Sequence, residues 1–242
     1  MSADPRQNPR DPAWRPPLDP ALPFPPAGEV GHPNLKEHLY AHLPADAVVL
    51  DVGCGPGPFE YHRYPPRFIA FDMFEPVSRE GLRAGHDEFR LGKLDALPAE
   101  DASCDAVVMG FILEHVEAPE VFLREADRVL RPGGWCYVAV PHHRSLEDRL
   151  FRLATSVAGS TRGPHIQRFT FENFKALAHG CSGLRLVAWH FLPASYLWMT
   201  HPKIAFARRP FLAMLRCLGM LGFDCFREAN YQLLFRKEAP EE

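Results

Sequence analysis

The stretch that most constrains the fold of this chain runs from Val48 to Glu60 and reads Val-Val-Leu-Asp-Val-Gly-Cys-Gly-Pro-Gly-Pro-Phe-Glu. Its apolar, β-branched opening is typical of a strand that is buried on both faces of a parallel sheet. The glycines at alternate positions, Gly53, Gly55 and Gly57, permit positive φ angles and the close approach of a ligand to the main chain. A buried strand that ends in such a loop predicts a ligand-binding turn at the carboxyl edge of an open α/β sheet.

The loop is a poor match for a site that binds the diphosphate of a dinucleotide. A dinucleotide fingerprint has its third glycine three residues after the second, but Pro58 occupies that place and Gly57 comes one residue early. Proline lacks the amide N–H that a diphosphate site uses, and Asp51 adds a negative charge directly before the loop. The carboxylate favours a ligand with a positive end, and S-adenosylmethionine carries both a sulfonium and an ammonium group.

The run Asp51-Val52-Gly53-Cys54-Gly55-Pro56-Gly57 resembles motif I of the class I S-adenosylmethionine-dependent methyltransferases. Two further matches follow in order: Leu-Glu-His-Val at 113–116, as in the small-molecule branch of methyltransferase type 11, and Leu-x-Pro-Gly-Gly at 130–134. Together the matches cover about residues 34 to 141, and ordered co-occurrence is more specific than any single motif. The resemblance implies an α/β, doubly wound, Rossmann-like sheet of seven strands in the order 3-2-1-4-5-7-6, with an antiparallel last strand.

Apolar runs and periodicity predict the elements along the chain. Strands are predicted at 48–52, 67–71, 89–94, 105–111, 135–140, 184–191 and 231–235. Helices are predicted from Asn34 to Leu43, from Pro119 to Leu130, and after Thr170, which is placed as the N-cap of a helix that carries Asn173, Phe174 and Leu177. The segment 130–134 is predicted to be a turn, and residues 59–64 leave room only for a brief helix before two prolines.

Three carboxylates are candidates for cofactor binding. Asp72 follows Asp51 by 21 positions, at the end of the second predicted strand, where it can accept hydrogen bonds from ribose hydroxyls. The resemblance implies that Asp95 meets the adenine amino group, although an Asx turn before Pro98 also explains it. The predicted cofactor-binding residues are Asp51, Gly53, Cys54, Gly55, Gly57, Asp72, Met73, Asp95, Ala96, Leu97, Gly110 and Phe111.

Methyl transfer to a hydroxyl or an acidic carbon needs a base, and histidine is the usual choice near neutral pH. The candidates at or over the carboxyl edge are His115, His142, His143 and His165. Taken singly, each of them is better explained by a structural or solvated-loop role, so the sequence leaves the base open. No acidic cluster indicates a metal site, and none is predicted.

Composition and missing motifs narrow the partners. The net charge of −3 provides no basic field for nucleic acid or anionic membranes. No Asn/Asp-Pro-Pro-aromatic or Pro-Cys segment follows the fourth strand, which argues against methylation of nucleic-acid bases. The six cysteines form no C-x-x-C pair, which favours free thiols in a reducing cytoplasm. We expect a cytoplasmic protein without a signal peptide, stable membrane insertion or a nucleic-acid partner.

Two segments fall outside the common pattern. Residues 1–30 contain nine prolines and predict an extended arm ahead of a methyltransferase domain at 31–242. An insertion at about 193–228 separates the last two strands and contains a predicted helix at 210–222. That helix is interpreted as packed on the sheet, as part of a lid over an apolar acceptor pocket, or as resting on a membrane surface.

The sequence therefore predicts an S-adenosylmethionine-dependent methyltransferase that acts on a small apolar acceptor by O- or C-methylation. One alternative is a non-catalytic S-adenosylmethionine-binding protein on the same fold, since a fold does not determine function. A nicotinamide-dependent oxidoreductase is the other alternative, and the glycine spacing argues against it.

Overall fold

The computed structural model describes residues 35–54, 61, 64–73, 88–92, 96–143, 165–192, 217 and 230–238. Several predicted features lie outside these ranges: the arm at 1–30, the brief helix at 59–64 apart from Tyr61 and Tyr64, Gly55, Gly57, Asp95, and the insertion at 193–228 apart from Cys217. Within the described residues, no helix is long and apolar enough to cross a membrane.

Seven strands form one sheet. They are β1 Val48–Val52, β2 Arg67–Asp72, β3 Glu88–Leu91, β4 Cys104–Gly110, β5 Leu130–Pro141, β6 Leu184–Leu192 and β7 Asn230–Lys237. The spatial order is β3-β2-β1-β4-β5-β7-β6, in which β7 runs antiparallel to both β5 and β6 while the other neighbours are parallel. The predicted sheet order and its antiparallel strand are confirmed.

Three α-helices accompany the sheet among the described residues: α1 Leu35–His42, α2 Pro119–Val129 and α3 Phe171–Cys181. Helix α2 has Pro119 in its first turn, where the missing N–H costs nothing. Helix α3 begins after Thr170, whose hydroxyl accepts from the backbone N–H of Asn173 while the Asn173 side chain accepts from the Thr170 N–H. The predicted cap is confirmed.

Only β1 has the predicted bounds, and two of the other strands, β3 and β5, differ most from the prediction. Strand β3 starts one residue early and ends at Leu91. Strand β5 starts at Leu130, inside the predicted turn, because Leu130 pairs with Cys104 and Trp135 pairs with Ala106. Residues 131–134 therefore form a bulge within the strand, in which Gly133 has a φ of 77°. Turn-forming residues thus bend the strand instead of preceding it.

The helices cover both faces of the sheet, as expected for a doubly wound fold. On one face, α1 packs its apolar side on alternate residues of the central strands, including Val49, Phe68 and Val108. On the opposite face, α2 and α3 pack on the intervening residues, including Leu50, Val107 and Val138. Strand residues of both parities are buried, which explains why the strands read as continuous apolar runs.

Acid is expected to destabilise the protein through His38 of α1. Burial lowers the pKa of His38 from 6.5 to about 4, with a smaller effect from neighbouring His42. Below pH 6.5 the unfolded chain binds a proton that the folded chain does not, so stability is lost as the pH falls from 6.5 to about 4. Thermal melts should show a His38→Gln variant losing less stability over this window. His179→Gln, at an exposed position on α3, is the control, and equal losses in all three proteins would contradict the assignment.

Candidate active site

The start of the glycine loop is pinned to the neighbouring strand. The backbone N–H groups of Gly53 and Cys54 both donate to the carbonyl of Phe71, at 2.7 and 3.3 Å. Gly53 has a φ of 69°, in the left-handed region that favours glycine. The sequence therefore predicted correctly that the chain turns sharply at the carboxyl end of β1.

Two carboxylates flank this turn. Asp51 is only 5% exposed and accepts a hydrogen bond from the hydroxyl of Tyr61. Asp72 ends β2, the strand next to β1. Burial raises the pKa of the Cys54 thiol to about 12, and the charges of Asp51 and then Asp72 add to the effect, which places both carboxylates near Cys54. The thiol stays protonated, and the turn lies in a negative field that favours a cationic ligand.

The segment predicted to frame the adenine is held by α2. The backbone N–H of Leu97 donates to Glu125 at 2.9 Å, and the Leu97 carbonyl accepts from Arg128 at 3.2 Å. Arg128 pairs with Glu125 at 2.7 Å, and this hydrogen bond lowers the pKa of the Glu125 carboxyl. Leu97 is buried and Met73 is 47% exposed, so Met73 offers apolar surface to a ring.

The end of β4 combines open space with backbone strain. No atom of the described residues lies within 4 Å of a methyl group added at Gly110. The next residue, Phe111, has a φ of 58°, which is unfavourable for an aromatic side chain, and its N–H donates to the Ala139 carbonyl at 2.9 Å. Such strain is held in place by its surroundings and clusters at functional sites. Both predicted residues lie at the carboxyl edge.

Residues 165–170, here called the crossing segment, lie across the carboxyl ends of β4 and β5. The N–H groups of Ile166 and Gln167 donate to the Glu114 carbonyl at 2.8 and 3.1 Å. The Gln167 side chain donates to the Val116 carbonyl at 3.0 Å. The segment is therefore fastened to the chain that follows β4, immediately beside Gly110 and Phe111.

The crossing segment brings two of the predicted histidines into one group. His165 meets His115 edge to face, with ring centroids 4.9 Å apart. Glu114 lies beside them: its side chain is 2% exposed and its Oε1 is 4.0 Å from His115 Nε2. Glu114 was not predicted as a site residue, although a carboxylate inside an otherwise apolar run was an available signal.

This group can hold either a proton or a cation. One ligand atom from each of Glu114, His115 and His165 lies within 4.8 Å of the other two. Carboxylate oxygen and imidazole nitrogen are ordinary ligands of divalent metals, and a buried carboxylate also stabilises a protonated imidazole. The prediction that the protein needs no metal stays a prediction.

The other two histidines lie at the end of β5, beneath the far end of the crossing segment. The backbone N–H of His143 donates to the Phe169 carbonyl at 3.1 Å, and Nδ1 of the same histidine lies 3.1 Å from that oxygen. A carbonyl only accepts, so Nδ1 is the donor in this contact, and in the neutral imidazole Nε2 is then the acceptor nitrogen. His142 contacts the Tyr231 ring at 4.8 Å. All four predicted histidines therefore line the carboxyl edge.

Comparison with known proteins agrees with this geometry. Residues 50–138 match the methyltransferase domain family. A malonyl-(acyl-carrier protein) O-methyltransferase of Hahella chejuensis is 32% identical over 146 residues, which cover 57% of this chain and 50% of that protein. A ubiquinone biosynthesis O-methyltransferase of Methylocella silvestris is 32% identical over 143 residues, covering 54% and 56% respectively. The chain spans about half the length of the curated relatives it matches.

A solved structure shows the same fold. The S-adenosylmethionine-dependent methyltransferase of Mesorhizobium loti superposes with a TM-score of 0.57 at 19% identity, over 78% of this chain and 90% of that one. Its likeness extends over much more of the chain than the matched family segment does. Taken with the sheet order and the glycine turn, these matches show that residues 50–138 form a methyltransferase domain, on the fold of the class I, S-adenosylmethionine-dependent methyltransferases.

Proposed function

We propose that this chain transfers the methyl group of S-adenosylmethionine to an oxygen or an acidic carbon of a small apolar molecule. The observation that carries the proposal is the 3.1 Å contact between Nδ1 of His143 and the Phe169 carbonyl, at the sheet edge that also holds the glycine turn, because this contact makes Nε2 the acceptor nitrogen of the neutral ring. Both relatives named above are O-methyltransferases, which supports oxygen as the acceptor atom.

The residues present fit the cofactor. Asp51 suits its ammonium group, and the backbone at Gly53 lets its amino-acid end approach closely. Asp72, at the end of β2, is placed to accept from the ribose hydroxyls. Met73, Ala96 and Leu97 would frame the adenine, and the predicted contact of Asp95 with the ring adds to this proposal.

The chain's own residues have two tasks in the reaction. When bound, the cofactor supplies a methyl group that is activated by its bond to a sulfonium sulfur. The rest of the cofactor is the leaving group and becomes a neutral thioether. The protein must align the acceptor with that methyl, which is worth up to about 7–11 kcal/mol in favourable intramolecular cases. His143 must take the acceptor's proton at Nε2 as the new bond to the methyl forms, and then release the proton to solvent.

Apolar side chains at the edge support an apolar acceptor. Ile166 in the crossing segment is 46% exposed, and the half-buried, strained Phe111 directly follows β4 at the same edge. Gly110 and the open space beside it lie at the end of β4. This strand lies between β1, which leads into the glycine turn, and β5, which leads to His142 and His143. An acceptor bound there would be bordered by hydrocarbon while its reacting atom faced the imidazoles.

Labelled methyl transfer tests the proposal. The protein should move label from S-[methyl-³H]adenosylmethionine into a small, organic-extractable compound of a fractionated extract of the source cells. Asp72→Ala is the control and should transfer less, since one or two hydrogen bonds to ribose are each worth about 1.5–3 kcal/mol when charge-assisted.

The alternatives give different results in the same experiment. Titration of S-adenosylmethionine that shows binding, with no acceptor labelled in any fraction, would support the non-catalytic binding protein. Micromolar binding of NAD without binding of S-adenosylmethionine would support the oxidoreductase. Label that appears only in nucleic acid or protein would contradict a small-molecule acceptor.

A further inference from the structure

The carboxylate of Asp51, near the end of β1, is contacted by the buried side chain of Tyr61. The hydroxyl of Tyr61 donates a hydrogen bond to Oδ2 of Asp51. Tyr61 is 4% exposed and Asp51 is 5% exposed, so water has little access to this contact. Tyr61 follows the glycine loop, whereas Asp51 precedes it, and the hydrogen bond therefore joins the two sides of the loop.

A second tyrosine links this contact to helix α1. Tyr40 is fully buried, and its ring centroid lies 5.8 Å from that of Tyr61. Tyr64 and Phe68 meet the Tyr40 ring edge to face at 5.5 and 4.9 Å, so the rings form one packed wall.

The Tyr61 hydroxyl in this wall offsets the cost of burying the Asp51 carboxylate. Burying an ionised carboxylate is costly unless donors replace the lost water. Burial, with the charge of Asp51 adding to it, raises the pKa of Tyr61 well above 10, and burial likewise raises that of Tyr40. Both hydroxyls therefore keep their protons at physiological pH, and Tyr61 is a permanent donor to the carboxylate.

We propose that Tyr61 is a positioning residue, which holds the Asp51 carboxylate oriented for the ammonium group at the amino-acid end of the cofactor. The inference rests on the proposed function, because it takes Asp51 to be the ammonium partner. A carboxylate offers about four acceptor positions, so accepting from Tyr61 is compatible with accepting from an ammonium group. Tyr61 itself touches the carboxylate rather than the ligand.

This role predicts selectivity for one end of the ligand. S-adenosylhomocysteine has the amino-acid end, whereas 5′-methylthioadenosine keeps the adenine and ribose and lacks the ammonium and carboxylate groups. Tyr61→Phe should therefore lower the affinity for S-adenosylhomocysteine by about tenfold or more, since a hydrogen bond to a charged group is lost. The affinity for 5′-methylthioadenosine should stay within about twofold, because its groups meet Asp72 and the adenine side.

Isothermal titration of both ligands against the full-length wild type, Tyr61→Phe and Tyr64→Phe is the test. Tyr64→Phe removes a hydroxyl from the same wall but leaves the Tyr61–Asp51 bond, and it should bind both ligands as the wild type does. In methyl transfer, Tyr61→Phe should raise KM for S-adenosylmethionine more than it lowers kcat. Thermal melts report whether each variant is folded.

Two results would overturn the inference while leaving the cofactor assignment intact. One is an equal loss of affinity for both ligands in Tyr61→Phe, which is the outcome of a merely structural role. The other is unchanged affinity for both ligands. Should Tyr61→Phe be too unstable to titrate at room temperature, the same two titrations at about 10–20 °C, near the usual maximum of protein stability, are the second measurement, and the loss of affinity should again be confined to S-adenosylhomocysteine. Failure of the wild type to bind either ligand would instead overturn the proposed cofactor site.

Discussion

Replacement of Gly53 by alanine is expected to abolish measurable binding of S-adenosylhomocysteine and to lower the melting temperature by on the order of 10 °C. The φ of 69° costs a residue with a Cβ about 1–2 kcal/mol. The new methyl group would also lie 2.3 Å from Cδ1 of Ile112, a buried side chain in the core. Overpacking of this kind adds about 1–3 kcal/mol.

The clash with Ile112 is expected to disturb the candidate active site, because Ile112 lies next to residues of that site in the chain. It follows the strained Phe111 and precedes Glu114, which anchors the crossing segment. Movement of Ile112 would therefore disturb the glycine turn and the histidine side of the edge together. Differential scanning fluorimetry and isothermal titration on the same preparation measure both effects.

Two further variants separate the causes of the Gly53→Ala effect. Ile112→Val removes only Cδ1, so the double variant Gly53→Ala/Ile112→Val should recover part of the lost stability while the cost of positive φ remains. Gly110→Ala adds a methyl group where no described atom lies within 4 Å, and it should melt within about 2 °C of the wild type. A Gly53→Ala protein that melts and binds normally would contradict the packing seen here.

The sheet could be predicted from sequence because each strand carries a local signal. Val48 to Val52 and Arg67 to Asp72 are apolar runs, since helices cover both faces of the sheet. The bulge at 131–134 could not be predicted, because its glycines and proline are typical of a turn whether or not a strand continues around them. The order of the strands came from the family resemblance, not from the residues alone.

Individual residues of the candidate site could be predicted from the sequence, but the contacts between them could not. The ends of β1, β2 and β4 place Asp51, Asp72 and Gly110 at one edge, as the parallel topology requires. Nothing periodic indicates that Tyr61 reaches Asp51 or that Phe169 meets His143 across 26 positions. Such contacts depend on how loops pack over the edge, and loop packing has no repeating pattern in sequence.

Conversion of His143 to asparagine is expected to reduce kcat for methyl transfer by about 10²–10⁴-fold, the usual contribution of general-base catalysis. Asparagine keeps an N–H donor near the position of Nδ1, so the contact with the Phe169 carbonyl should survive while the Nε2 lone pair is lost. Affinity for S-adenosylhomocysteine should be unchanged.

Matched substitutions at the other three histidines decide whether His143 is the base. His142→Asn, at the adjacent position against Tyr231, should change kcat far less, and so should His115→Asn and His165→Asn. A large loss of kcat in His165→Asn with His143→Asn fully active would instead assign the proton to the group around Glu114. Incubation with EDTA separates a proton from a cation there: we expect kcat to be unaffected, whereas loss of activity that Mg²⁺ restores would mean that Glu114, His115 and His165 bind a metal needed for the reaction.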